Sequence, residues 1–285
     1  MKTILVPIDF SEFSEYALHS AAILAKKYDA DIIAVHMLEL ATMHAYGTET
    51  DNEHFERALF YTKLAEKKFS EFLGKEYLTG VSITPIIRQF KVFSELGDIA
   101  LENKADLIVM GSNGASGITG FFVGSNTEKV VRNSEIPVMV IKSKPINWDF
   151  RKVVFATDFT EEATSSFQTA IKFLDSLDAD VQLLYVNTPG DGFKNTDEME
   201  QGVQDFLMQA DGNLDRLDSV YYIADKSAEK GIVKYAAKVN ADLIAVTTHG
   251  RTGLARFFEG SVSEDLANTA HFPVLTFRIG DFNES

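Results

Sequence analysis

The residues with the clearest chemical potential are glycines. Gly111-Ser112-Asn113-Gly114 is followed, after nine residues, by Gly124-Ser125. Glycine lets backbone N–H groups approach an anion with no Cβ in the way. The residues after Ser125 read as a helix, whose N-terminus adds the positive end of its dipole. A phosphate held by backbone amides is the chemistry this spacing offers. The spacing returns at Thr247-Thr248-His249-Gly250 and, after nine residues, Gly260-Ser261. The two loops differ in charge. No Lys or Arg lies between Gly111 and Glu128, so amides, Ser112, Ser125 and the dipole must do the neutralising. That suits a less charged ligand or the use of a divalent cation. The second loop has Thr247 where the first has glycine, yet Arg251 and Arg256 offer charge-assisted phosphate contacts. The plainer readings are a tight loop that ends a strand, and arginines in solvent or against Glu259.

Other candidates carry less. Asp9 and Asp158 could be general bases, but a strand-end Asp that caps the next helix is the stronger reading. His36 and His249 lack a second ligand at metal spacing. No Gly-x-x-x-x-Gly-Lys-Ser/Thr and no Gly-x-Ser-x-Gly occurs, which argues against a P-loop NTPase and a serine hydrolase. Phe121-Phe122 and Phe257-Phe258 read as core or interface anchors.

The elements that must position these residues alternate. Lys2 to Ile8 reads as a buried strand, and Ser11 with Glu12 and Glu15 as a helix start. Ile32 to Met37 is a second strand, Glu53 to Leu73 a long amphipathic helix, and Val81 to Ile87 a third strand whose Pro85 suits a strand end or a sheet edge. Phe93 to Asn103 is a helix, Leu107 to Met110 a strand, a fourth helix runs to Asn133, and Ile136 to Ile141 is a fifth strand. Apolar strands alternating with helices predict a parallel sheet covered on both faces, with ligands at the strand carboxyl ends. After a linker at 143–149 the unit restarts. Asp158 follows Asp9 by 149 residues, whereas Gly250, Gly260 and Ser261 follow Gly114, Gly124 and Ser125 by 136. The second copy is therefore 13 residues shorter, and the loss falls around 187–212. The prediction is two tandem α/β units over 1–144 and 150–280, each a doubly wound five-stranded parallel sheet flanked by helices, related as a pseudo-dimer.

With 45% hydrophobic and 24% charged residues the chain suits a globular protein. Its apolar runs are strand-sized and no signal peptide is legible, so a cytoplasmic protein without a membrane span is expected. There is no Cys, which excludes disulfides and thiolate chemistry. The net charge of −15 makes a nucleic-acid partner unlikely to be steered in, while a small nucleotide can still be held by local amides.

Together these residues resemble the universal stress protein family, in a tandem form covering nearly the whole chain. Gly111, Gly114, Gly124 and Ser125 match the family's Gly-x-x-Gly, nine residues, Gly-Ser/Thr motif. Val6 to Ser11, Ile136 to Ile141, Thr157 to Thr160, Thr248 to Leu254 and Gly260-Ser261-Val262 support it. The resemblance implies an adenine-nucleotide-alpha-hydrolase-like fold and a pocket for ATP or AMP, with or without Mg²⁺. In that pocket Asp9 and Met37, and Asp158 and Val186, lie near adenine and ribose. Met110, Gly111, Gly114, Gly124, Ser125 and Asn126 form the first phosphate loop; Thr247, Gly250, Arg251, Gly260, Ser261 and Val262 form the second. It implies a role in stress regulation with no general reaction, and halves joined through their last strands. A nucleotide-independent protein-interaction module and a slow ATP hydrolase are the alternatives, and further pairing of tandem chains stays open.

Overall fold

The structure is a computed structural model that describes residues 1–39, 51–90, 95–112, 125–145, 149–190, 193–248 and 272–278. In chain order the first repeat contains β1 (Thr3–Ile8), α1 (Glu12–Tyr28), β2 (Asp31–Glu39), α2 (Asp51–Phe72), β3 (Ile83–Phe90), α3 (Leu96–Glu102), β4 (Leu107–Gly111), α4 (Ser125–Asn133) and β5 (Val138–Ile141). The second contains β6 (Lys152–Ala156), α5 (Thr164–Ser176), β7 (Asp180–Asn187), α6 (Thr196–Ala210), β8 (Val220–Ala224), α7 (Ala228–Val239), β9 (Leu243–Thr248) and β10 (Val274–Arg278).

The strands form one sheet in the order β3-β2-β1-β4-β5-β10-β9-β6-β7-β8. Within each repeat the strands pair in parallel, and the repeats meet where β10 runs antiparallel to β5. Met139 lies opposite Leu275, with Val140 opposite Val274 and Val138 opposite Thr276. Met139 and Leu275 are also equivalent by the offset of 136. The junction is thus self-complementary, with a pseudo-two-fold axis through that pair. The two five-stranded halves are thus continuous as one sheet.

Alternation along the strands feeds two cores, as a sheet buried on both faces requires. One side packs Leu18 of α1, Phe69 of α2, Phe167 of α5 and Phe206 of α6. The other packs Ile99 of α3, Val130 of α4 and Tyr235 of α7. Each core spans both repeats.

Local sequence explains the element ends. Ser11 accepts the Ser14 N–H and caps α1, whose first turn carries Glu12 and Glu15. Asp29 closes that helix in the left-handed region. Asn195 and Glu198 form a reciprocal capping box that starts α6, and the helix continues through Gly202. The shortening lies partly in helix length: α2 has 22 residues and α6 has 15. β3 is an edge strand, as Pro85 suggested. Several limits shift by a few residues. β3 runs on to Phe90, β5 begins only at Val138, and α4 already includes Ser125.

Candidate functional site

The chain order along the sheet reverses between β1 and β4, and again between β6 and β9. Such a switch point leaves a crevice at the strand carboxyl ends. Asp9 follows β1 there, and the parallel register of Ile8 with His36 brings Met37 beside it. Met110 and Gly111 end the neighbouring β4. In the second repeat the register of Ala156 with Leu184 and Val246 brings Asp158 beside Val186 and near Thr247. Ser125 and Asn126 open α4, and the buried Thr127 hydroxyl donates to the Gly111 carbonyl at 2.9 Å. That bond pins the described ends of the first loop together. Thr127 was not singled out in the sequence, because a helix-face Thr gives no local sign that it reaches back to a strand. Gly114, Gly124, Phe121, Phe122, His249, Gly250, Arg251, Arg256, Phe257, Phe258, Glu259, Gly260, Ser261 and Val262 lie outside the described residues, as does the side chain of Ser125.

Both strand-end aspartates build turns. Asp9 Oδ1 accepts the Ser11 N–H at 2.9 Å. Asp158 Oδ1 accepts the Thr160 N–H at 3.1 Å and its hydroxyl at 2.9 Å. The residue between is left-handed in both copies, Phe10 at φ 63° and Phe159 at φ 53°. A non-glycine residue there is strained by about 1–2 kcal/mol, and ring packing offsets it. Phe10 lies 4.5 Å from the His36 ring and 5.3 Å from Phe69. Phe159 stacks on Tyr185 at 5.8 Å and meets Phe206 edge-on at 5.3 Å. His36 and Tyr185 are equivalent positions, so His36 is part of an aromatic floor beneath the turn. Its Nδ1 lies 2.7 Å from the Ile8 carbonyl. A carbonyl only accepts, so Nδ1 carries the proton. Burial, aided by the Lys68 charge, holds the imidazole below its usual pKa of 6.5, against the raising pull of Ile8 and Asp9.

Gly111 also has a packing role. A Cβ there would lie 2.8 Å from the Phe13 backbone. The absent side chain admits the start of α1. In the second repeat, which has Thr247 instead, the chain first makes a short 3-10 turn over Glu161–Ala163, and α5 starts at Thr164 without a side-chain cap. The Thr157 and Thr164 hydroxyls are buried there, with no hydrogen-bond partner among the described residues. The strand-one terminus in the first repeat carries Ile8 where the second has Thr157.

A cation also escaped local reading. The Ser112 N–H donates to the Ile141 carbonyl at 2.8 Å, which sets Lys142 at the neighbouring strand end. Burial pushes the Lys142 ammonium down to about 8. Only its counterpart Arg278, 136 residues later, could have flagged it. Arg278 reaches the other repeat and donates to the Asn133 carbonyl at 3.3 Å, at the C-terminus of α4.

The family model described as the universal stress protein family matches residues 1–142 and again 149–278. A universal stress protein from Methanocaldococcus jannaschii is 30% identical over 149 residues, covering 50% of this chain and 82% of that protein. A relative from Staphylococcus haemolyticus is 29% identical over 168 residues, covering 56% of this chain and 96% of its own length. The crystal structure of a universal stress protein from Archaeoglobus fulgidus aligns over 98% of this chain and 97% of its own, with a TM-score of 0.61 at 23% identity. A functionally unknown protein from Pseudomonas aeruginosa aligns over 98% and 93%, with a TM-score of 0.59 at 17% identity. At those identities the two structures speak for the fold alone.

Proposed function

The chain belongs to the universal stress protein family, and from that premise we propose that it is a cytoplasmic regulator of stress physiology that binds adenine nucleotide, ATP or AMP, without turning it over strongly. The observation that carries this reading is the paired switch-point crevice. In each repeat a strand-end Asp, an apolar residue of the next strand and the start of the glycine loop converge on it. Asp9 and Asp158 would bond ribose hydroxyls, and Met37 and Val186 would flank adenine. The loops 111–125 and 247–261 would hold phosphates through backbone N–H groups, aided by Arg251 in the second and by Mg²⁺ where the nucleotide brings it. The second repeat fits such a ligand through its buried Thr157 hydroxyl, which has no partner among the described residues, since a buried hydroxyl left unpaired is costly. Binding would bias the loop and the junction between repeats.

Equilibrium dialysis of the intact protein with labelled ATP and AMP, with and without Mg²⁺, tests the proposal. Saturable binding below millimolar is expected, and its absence for both nucleotides sinks it. Gly114→Val and Gly250→Val, made separately, then assign the sites. A second reading, a nucleotide-independent interaction module, is favoured by one observation: Gly111 is accounted for by Phe13 and Thr247 breaks the motif. Partners captured equally well by wild type and by both glycine variants would support that reading.

A further inference from the structure

The two ends of the ten-stranded sheet are built differently. At one end β3 carries Pro85. The Ser82 carbonyl accepts the Ile32 N–H, so the odd-numbered residues of β3 face outward, and Pro85 presents a ring without a donor. Arg88 adds an exposed charge. Both devices blunt an edge against pairing. At the other end β8, Val220-Tyr221-Tyr222-Ile223-Ala224, has neither proline nor charge. Among the described residues no strand pairs with its outer side. The Asp225 N–H donates to the Asn187 carbonyl at 3.3 Å, so the odd-numbered residues of this stretch face β7. Tyr222 and Ala224 therefore present backbone N–H and C=O groups to the open edge.

We infer that β8 is a self-association edge, and that its partner is β8 of a second copy of this chain, antiparallel and centred on Tyr222. The register is set by the sequence. With Tyr222 opposite its own copy, Val220 meets Ala224, Tyr221 meets Ile223, and Asp218 before the strand meets Lys226 after it. Both Asp218 and Lys226 are exposed. By symmetry the charge pair occurs twice, so the register that pairs outward backbone groups also matches opposite charges. A one-residue slip would put inward-facing backbone against outward-facing backbone and lose both matches. The strand also carries an exposed apolar side chain, Tyr221. A like-charged second copy is attracted only through such a local match, because the chain as a whole carries −15. The dimer continues the sheet, using at β8 the antiparallel symmetry that β5 and β10 use inside the chain.

Sedimentation of the full chain over a range of concentrations tests this, with folding of each variant checked by circular dichroism. The wild type should approach twice 31.6 kDa. Asp218→Lys sets Lys against Lys twice and should weaken dimerisation roughly tenfold, because both cross-strand charge pairs change sign. Asp218→Lys with Lys226→Asp restores opposite charges and should restore the dimer. Ala224→Pro removes an outward N–H that no ladder bond to β7 uses and should give a monomer, which keeps the test valid if the charge variant misfolds. A monomeric wild type overturns the inference. So does a dimer indifferent to Asp218→Lys and Ala224→Pro, or a double charge variant that stays monomeric.

Discussion

Asp9 and Gly111 show that a residue can match a functional motif and still be held by its own chain. Asp9 closes a turn around a left-handed Phe10, and Gly111 makes room for Phe13. Gly111→Ala would set a Cβ 2.8 Å from backbone that cannot rotate away. It should cost about 1–3 kcal/mol in urea unfolding, as overpacking does, whether or not nucleotide is present. A loss confined to nucleotide binding, with stability intact, would show that α1 yields there. His36 gives a pH signature. Its folded pKa lies below the unfolded 6.5, held there by burial. Below pH 6.5 the unfolded chain takes up a proton that the folded chain refuses, so stability falls as pH drops from 6.5 towards the folded value. Above 6.5 both states are neutral and His36 contributes no slope. The urea midpoint of the wild type should therefore decline on acidification through this window, and His36→Phe should flatten the decline. An unchanged slope in the variant would move the effect to another group, such as His19, whose pKa burial also lowers.

Helices and strands were the most legible level, because their signals are local. Ser11 with Glu12 and Glu15 marked α1, and Pro85 marked an edge. The strand limits were less legible where tertiary pairing extends them. β3 reaches Phe90 because Glu39 of β2 offers it a partner. Of the candidate site, the strand-end positions of Asp9, Met37, Met110 and Gly111 were legible, whereas Thr127 and Lys142 come from other elements folded alongside. Gly202 and Gly231 both lie in helices, but only Gly231 is crowded: a Cβ there would lie 2.7 Å from the Val186 side chain, while at Gly202 the nearest atom is the flexible Lys194 Nζ at 3.8 Å. Gly202→Ala should therefore stabilise the protein by about 0.5–1 kcal/mol through helix propensity. Gly231→Ala should lower the melting temperature, and would also press on the Val186 wall of the second crevice. Asn195→Ala should cost about 1 kcal/mol by opening the capping box of α6. Thermal melts of the three variants in one buffer decide these signs.

At the scale of the molecule, the repeats are bound by more than a linker. The Thr276 hydroxyl donates to the Val138 carbonyl at 3.1 Å, buried, beside the Met139–Leu275 axis. The Tyr28 hydroxyl donates to the Leu177 carbonyl at 2.7 Å, and Leu177 is Tyr28's own counterpart 149 residues on. Lys27 meets Asp149 at 2.9 Å, an exposed pair of small worth. The decisive term is β5. All four of its residues are buried, between β4 on one side and β10 on the other. If the second repeat unfolded alone, β5 would become an open edge of Val, Met, Val and Ile, and both cores would lose the layer they share across the junction. An interface that large and apolar makes separate unfolding unfavourable, although two-domain chains often unfold in steps. Urea unfolding should accordingly be a single transition, with circular dichroism and the fluorescence of Trp148 giving the same midpoint. Tyr28→Phe, which leaves the Leu177 carbonyl without its donor, should shift that midpoint down by about 1 kcal/mol for both probes together. Two separated transitions, or a Tyr28→Phe shift seen by one probe only, would mean that the repeats are coupled too weakly for a ligand in one crevice to be felt in the other.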